Sequence, residues 1–232
     1  YLPEGDAIDT DQLVDYMVQR RKEPSPRVRF YEKPRILERD LAVLVLLDCS
    51  GSTGEKQEGR GRVIDVEKRA ALILGQGLAS LGDRFSIGGF SSNGPEACRY
   101  HIFKEFDEGW GRETFDRIMS ASPANSTRIG PALRHSGWRL HRTGARRRLL
   151  LIVTDGKPMD NGYDPATLYA QYDVRKACEE NERLAVTSFG ISSNENSVAD
   201  MEIMFPRSRY AILRDIHGLP RILPRLYLHL TA

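Results

Sequence analysis

Three short stretches of this sequence carry residue types that could hold a metal ion. Asp48-Cys49-Ser50-Gly51-Ser52-Thr53 follows one apolar run and Asp155-Gly156-Lys157-Pro158 follows another, while Asn125-Ser126-Thr127-Arg128 precedes an amphipathic stretch. Side chains alternate along an extended segment, so Asp48, Ser50 and Ser52 can face the same way. Gly51 lets the backbone turn between them. Oxygen-only donors that mix carboxylate with hydroxyl suit a hard divalent cation such as Mg²⁺, which keeps some of its waters. Neutral hydroxyls leave such an ion short of negative charge and receptive to one more anionic ligand from outside.

The surrounding pattern supplies elements able to bring these stretches together. Leu41 to Leu47, Arg148 to Thr154 and Leu184 to Phe189 are continuous apolar runs of the kind found in strands covered on both faces of a parallel sheet. Helical spacing marks Val63 to Leu81, Arg112 to Met119, Ile129 to Leu140, Leu168 to Asn181 and Ser197 to Met204. Arg84 to Phe90 and Cys98 to Phe103 read as strands joined by a Ser-Ser-Asn-Gly-Pro turn too short for a crossover, hence antiparallel. Tyr210 to Leu213 reads as a short strand, and Leu219 to Leu230 as an amphipathic helix with two prolines. Strands alternating with helices predict an α/β fold: a doubly wound, mostly parallel sheet with one antiparallel edge strand and helices on both faces. In such sheets ligands bind at the carboxyl ends of the strands, where all three polar stretches would lie. Ahead of this domain, expected over residues 40–232, residues 1–39 read as a short helix (Asp9 to Lys22) and a basic extended arm broken by Pro24, Pro26 and Pro34.

The three stretches, in this order, resemble the metal-ion-dependent adhesion site of a von Willebrand factor A domain. Asp48-Cys49-Ser50-Gly51-Ser52, Thr127 ahead of Gly130-Pro131-Ala132-Leu133, and Thr154-Asp155-Gly156 carry the resemblance, which runs from about Asp40 to the C-terminus. It implies that Asp48, Ser50, Ser52, Thr127 and Asp155 hold Mg²⁺, with Mn²⁺ or Ca²⁺ as substitutes, and that an acidic side chain of a partner completes the sphere. Cys49 stands where an apolar residue is more usual, and Asn125-Ser126 where Gly-Gly is common; neither removes a ligand. Leu81-Gly82-Asp83-Arg84-Phe85, Gly89-Phe90-Ser91-Ser92-Asn93-Gly94, Ser126-Thr127-Arg128-Ile129-Gly130 and Arg146-Arg147-Arg148-Leu149-Leu150-Leu151 are similar to the C-terminal domain of the NorD and CbbO group. That similarity implies a non-catalytic adaptor linking a client complex, of the Rubisco or nitric oxide reductase type, to a MoxR-type AAA+ ATPase.

Other chemistries fit less well. An Asp directly after a buried strand is also found in aspartyl-phosphate phosphatases and phosphotransferases, which would use Asp48 as nucleophile. Those need a second Asp two residues on, where this chain has Ser50. No G-x-x-x-x-G-K-[ST], H-E-x-x-H or G-x-S-x-G occurs. His101, His135, His141, His217 and His229 lack partners at ligand spacing and read as structural. Cys49, Cys98 and Cys178 are odd in number and far apart, which argues against zinc and for three semi-buried thiols in a reducing, cytoplasmic setting.

Composition sets the outer bounds. The 232 residues include 34 basic and 32 acidic ones, a formal charge of +2, with 40% apolar and 28% charged, so the chain is neither disordered nor strongly basic. Arginines do crowd at Arg134, Arg139, Arg142, Arg146, Arg147 and Arg148, and in the arm at Arg27, Arg29, Arg35 and Arg39. The plain reading is a solvated face balanced by acids; an acidic protein surface is the functional alternative. Nucleic acid is disfavoured because no aromatic stacking platform accompanies the charge. No apolar run approaches the roughly 20 residues of a membrane span. The chain opens on Tyr1 rather than Met, which suggests a segment of a longer protein.

Overall fold

Residues Leu41–Asp48 form strand β1, whose side chains alternate between two cores. Leu41, Val43, Val45 and Leu47 pack with Ile64, Leu74, Leu78 and Ile118 on one side. Ala42, Leu44 and Leu46 pack with Ile129, Leu133, Leu140, Val174 and Met201 on the other. Burial on both faces is the physical reason the strand reads as an unbroken apolar run rather than an alternating one. The computed structural model describes residues 40–57, 61–156, 158–192, 194–206 and 209–213, together with two-residue strands at Ala7–Ile8 and Tyr31–Glu32.

The remaining elements follow the predicted alternation. Helix α1 is Val63–Ser80, strands β2 and β3 are Arg84–Ser92 and Cys98–Lys104, and helices α2 and α3 are Arg112–Ser120 and Ile129–His141. Strand β4 spans Arg147–Thr154, helix α4 Tyr169–Arg183, strand β5 Val186–Ser192, helix α5 Val198–Met204 and strand β6 Tyr210–Ile212. The sheet order is β6-β5-β4-β1-β2-β3. Every neighbouring pair is parallel except β2 and β3, which are antiparallel as their short connection requires. Residues of α1 and α2 line the first core and residues of α3, α4 and α5 the second, so helices cover both faces.

Two local features depart from the pattern. Strand β5 begins at Val186 instead of Leu184, because α4 runs on to Arg183 and Ala185 turns the chain in the left-handed region at φ 55°. A 3₁₀ turn at Gly51–Gly54, followed by a small antiparallel ladder of Lys56–Gln57 with Gly61–Arg62, fills the connection after β1. By its internal contacts the chain divides into two units, Tyr1–Arg39 and Asp40–Ala232. In the first unit, Ala7–Ile8 pairs antiparallel with Tyr31–Glu32; the expected helix from Asp9 to Lys22 lies outside the described residues, as does the expected helix from Leu219 to Leu230. Among the described residues no helix is long and apolar enough to cross a membrane.

Candidate metal centre

Strands β1 and β4 are parallel neighbours with Leu47 beside Val153, so Asp48 and Thr154 leave the sheet side by side. Asp48 is fully buried (0% exposed) and both of its oxygens are engaged. Oδ1 accepts the Ser50 backbone N–H at 2.9 Å, and Oδ2 accepts the Thr154 hydroxyl at 2.7 Å. Thr154 Oγ1 in turn accepts the Gly156 N–H at 3.1 Å, which pins the turn that carries Asp155. Gly156 sits at φ +90°, and an added Cβ would lie 2.4 Å from Ser197 Cβ, so both conformation and space demand glycine directly after Asp155. In the 3₁₀ turn, Ser50 Oγ lies 3.1 Å from Ser52 Oγ, and Thr53 Oγ1 donates to the Ser50 carbonyl at 2.6 Å.

Thr127 reaches the same rim through backbone pairing of its loop. Gly51 N–H donates to Asn125 O and Ala124 N–H to Cys49 O, both at 2.8 Å, which ties this loop to the one after β1. Ser126 exchanges two hydrogen bonds with Ser92, and Thr127 exchanges two with Met159, beyond Asp155. Asn125 adopts φ 60°, a left-handed conformation that Asn tolerates better than most residues. Gly51 is needed for the close approach, since a Cβ there would sit 2.8 Å from Asn125 O.

The electrostatics of this rim are those of crowded carboxylates. Burial, then the charge of Asp155, pushes the Asp48 carboxyl up to about 7, against the opposing pull of its hydrogen bonds from Ser50 and Thr154. Glu67 of α1 is also fully buried (0% exposed), and neither carboxyl oxygen has a hydrogen-bond partner. Burial first, and Asp48 and Asp155 next, raise its carboxyl well above the usual range. The buried Cys49 thiol is pushed up to about 12 by burial, Glu67 and Asp48. The adjacent Lys68 turns away, its Nζ donating to the Met119 carbonyl at 2.9 Å.

These residues fit a hard cation. The donors are carboxylate and hydroxyl oxygens, and the mutual repulsion of buried acids is what a divalent ion would relieve. Among the described residues no group of three or more His, Cys, Asp or Glu side chains is placed to hold one ion. The oxygen donors this rim gathers are instead two aspartates with serine and threonine hydroxyls. Asp48, Ser50 and Ser52 are joined by direct contacts, Asp155 acts on Asp48 through its charge, and Thr127 arrives by the backbone pairs just described.

Several neighbouring features were not legible as such in the sequence. Glu67 stands among Ile64, Ala71, Leu74 and Leu78 on the buried face of α1, where the helical period calls for an apolar residue; a charge at that phase was the available signal. Asp160 is a second: its side chain is buried, accepts N–H groups from Gly94 and Asn161 at 2.8 Å each, and pairs with Arg128 Nε at 2.7 Å. That network braces the residue next to Thr127, and the Arg128 guanidinium lies 4.1 Å from the centre of the Tyr163 ring. Of the thiols, Cys49 and Cys178 are buried, but Cys98 is exposed, contrary to the expectation of three semi-buried groups. Among the described residues, three of the six clustered arginines pair with acids: Arg134 with Asp173 and Glu180, Arg139 with Glu105, and the exposed Arg146 with Asp40.

No protein-family model matches the chain. It is 35% identical over 226 residues to an uncharacterised protein of Pseudomonas aeruginosa, covering 97% of this chain and 37% of that protein. It is 36% identical over 224 residues to the protein NorD of Brucella suis, covering 94% of this chain and 35% of NorD. The chain thus spans little more than a third of the length of these relatives. Among solved structures, the vWF domain of the type V pili tip protein Mfa5 from Porphyromonas gingivalis superposes with a TM-score of 0.62 at 8% identity, covering 82% of this chain and 96% of that one.

Proposed function

We propose that this NorD-like domain, whose fold is of the von Willebrand factor A type, is a Mg²⁺-dependent protein-binding module without catalytic activity of its own. The observation that carries the reading is the rim itself, where buried Asp48 and nearby Asp155 repel each other beside the paired hydroxyls of Ser50 and Ser52. Asp48, Ser50, Ser52, Thr127 and Asp155 would hold the ion, with Mn²⁺ or Ca²⁺ as substitutes. When bound, the ion supplies a Lewis-acidic point that accepts an anionic oxygen from a partner. The chain's own residues orient the donors: Thr154 and the Ser50 N–H fix the Asp48 carboxylate, and Gly51 and Asn125 hold the second loop against the first.

The partner would be a client protein that presents an Asp or Glu to the ion. The resemblance to the NorD and CbbO group implies an adaptor that couples such a client to a MoxR-type AAA+ ATPase, where ATP hydrolysis would reside, and the 36% identity to NorD of Brucella suis supports only the membership of that group. A phosphatase using Asp48 is disfavoured by two observations. Both Asp48 oxygens are buried and hydrogen-bonded, and the position two residues on is Ser50, which cannot serve as the acid or base.

Calorimetry with Mg²⁺ tests the reading. Wild type should bind one ion per chain, and Asp48→Ala and Asp155→Ala should each lose that binding while remaining folded. Affinity unchanged in both variants would overturn it.

A further inference from the structure

We propose that Glu67 is a working part of the rim site, a positioning carboxylate that accepts hydrogen bonds from the hydroxyl and water ligands of the ion without binding the ion directly. This rests on the metal reading above. Helix α1 packs on β1 and on the Gly51–Gly54 turn, the segment that carries Ser52 and follows Ser50. Glu67 lies on its buried face, with both oxygens inaccessible and without a partner. Its charged neighbours are Asp48 and Asp155. Buried polar groups in folded proteins are nearly always satisfied by protein, by ordered water or by an ion, so two orphan oxygens on one carboxyl call for a reason.

Hydroxyl chemistry supplies that reason. Ser50 Oγ and Ser52 Oγ face each other at 3.1 Å, where only one of the two can donate. When a cation draws on the lone pairs of both oxygens, each O–H must find an acceptor elsewhere, and so must the protons of bound water. The two Asp48 oxygens already accept from Ser50 N–H and Thr154 Oγ1. Glu67 brings further acceptor oxygens that no other group occupies. Since no three acidic side chains among the described residues are placed to share an ion, its action is through those intervening groups. Groups that orient metal ligands in this way matter nearly as much as the ligands, and their loss weakens affinity by about 10–100-fold.

The test compares wild type, Asp48→Asn, Glu67→Gln and Glu67→Leu. Mn²⁺ binding is measured by electron paramagnetic resonance and Mg²⁺ binding by calorimetry, and melting temperature is recorded in chelator. Both Glu67 variants should bind the ions about 10–100-fold more weakly, while their metal-free melting temperatures stay level or rise, since a buried unpartnered carboxyl has been removed. Leu suits the apolar face of α1, which guards against a trivial folding failure. Affinities within twofold of wild type, or a metal-free melting temperature that falls along with affinity, would overturn the proposal. If Asp48→Asn loses the ion while both Glu67 variants keep it, this inference alone fails; if wild type takes up no ion, the metal reading falls with it.

Discussion

Gly51→Ala probes whether the rim is held together by the contact between its first two loops. A Cβ at this position would lie 2.8 Å from the Asn125 carbonyl oxygen, the same atom that accepts the Gly51 N–H at 2.8 Å. That oxygen is backbone. It is fixed on one side by the left-handed Asn125 and on the other by Ala124, whose N–H bonds Cys49 O, so it cannot swing aside as a side chain would. Inserting a methyl group into a packed site costs about 1–3 kcal/mol. Weakening the hydrogen bond adds about 0.5–1.5 kcal/mol, so about 1.5–4.5 kcal/mol is expected. For a chain of 232 residues this lowers the melting temperature by about 3–18 °C. Because the loop that moves carries Thr127, Mg²⁺ affinity should fall at least about tenfold as well. Thermal unfolding in chelator and calorimetry with Mg²⁺ measure the two effects. Gly109→Ala is the control, since a Cβ there meets nothing within 4 Å. A Gly51→Ala protein that melts and binds like wild type would refute the idea that this close approach shapes the site.

Asp48→Asn should act with opposite sign on stability and on binding. It should abolish Mg²⁺ uptake yet raise the metal-free melting temperature at pH 8, because a buried charge repelled by Asp155 has been removed; scanning calorimetry in chelator reads the second effect. Asp160→Asn should cost about 3–5 kcal/mol near neutral pH, since it leaves the largely buried Arg128 without its carboxylate partner. Burial pushes the Asp160 carboxyl up, but its bonds from Gly94, Arg128 and Asn161 outweigh that and hold it below its ordinary 3.8. The pair's stabilisation is therefore present above about pH 4 and lost as pH falls further, so urea denaturation should show the gap between variant and wild type closing in acid. Thiol titration of the folded protein should modify Cys98 first, with Cys49 and Cys178 reacting only on unfolding, because burial pushes both buried thiols up to about 12.

Secondary structure was legible where the hydrophobic period was strong. The run from Leu41 became an eight-residue strand extended only by Asp48, and Val63 to Leu81 became a helix ending one residue earlier. The antiparallel edge pair followed from a connection too short for any crossover. Errors fell where local geometry decides. Leu184 is apolar enough for a strand, yet the α4 helix continues to Arg183 and the turn at Ala185 delays the strand. The 3₁₀ turn at Gly51–Gly54 has no hydrophobic period to announce it.

From the sequence alone came the fold class and the three polar stretches, two after strands and one before a helix, because periodicity and short spacings are properties of neighbouring residues. Tertiary structure decided what those stretches do to one another. It set Thr154 against Asp48, sewed the Thr127 loop to Gly51 and Met159, and put Glu67 under the rim from a helix that begins 15 residues after Asp48. Such relations depend on which elements lie side by side in the sheet and how closely their loops approach. Helical phase marks Glu67 as a charge on an apolar face, but its burial cost exists only once the chain has closed over it, so spacing could not say what that charge meets.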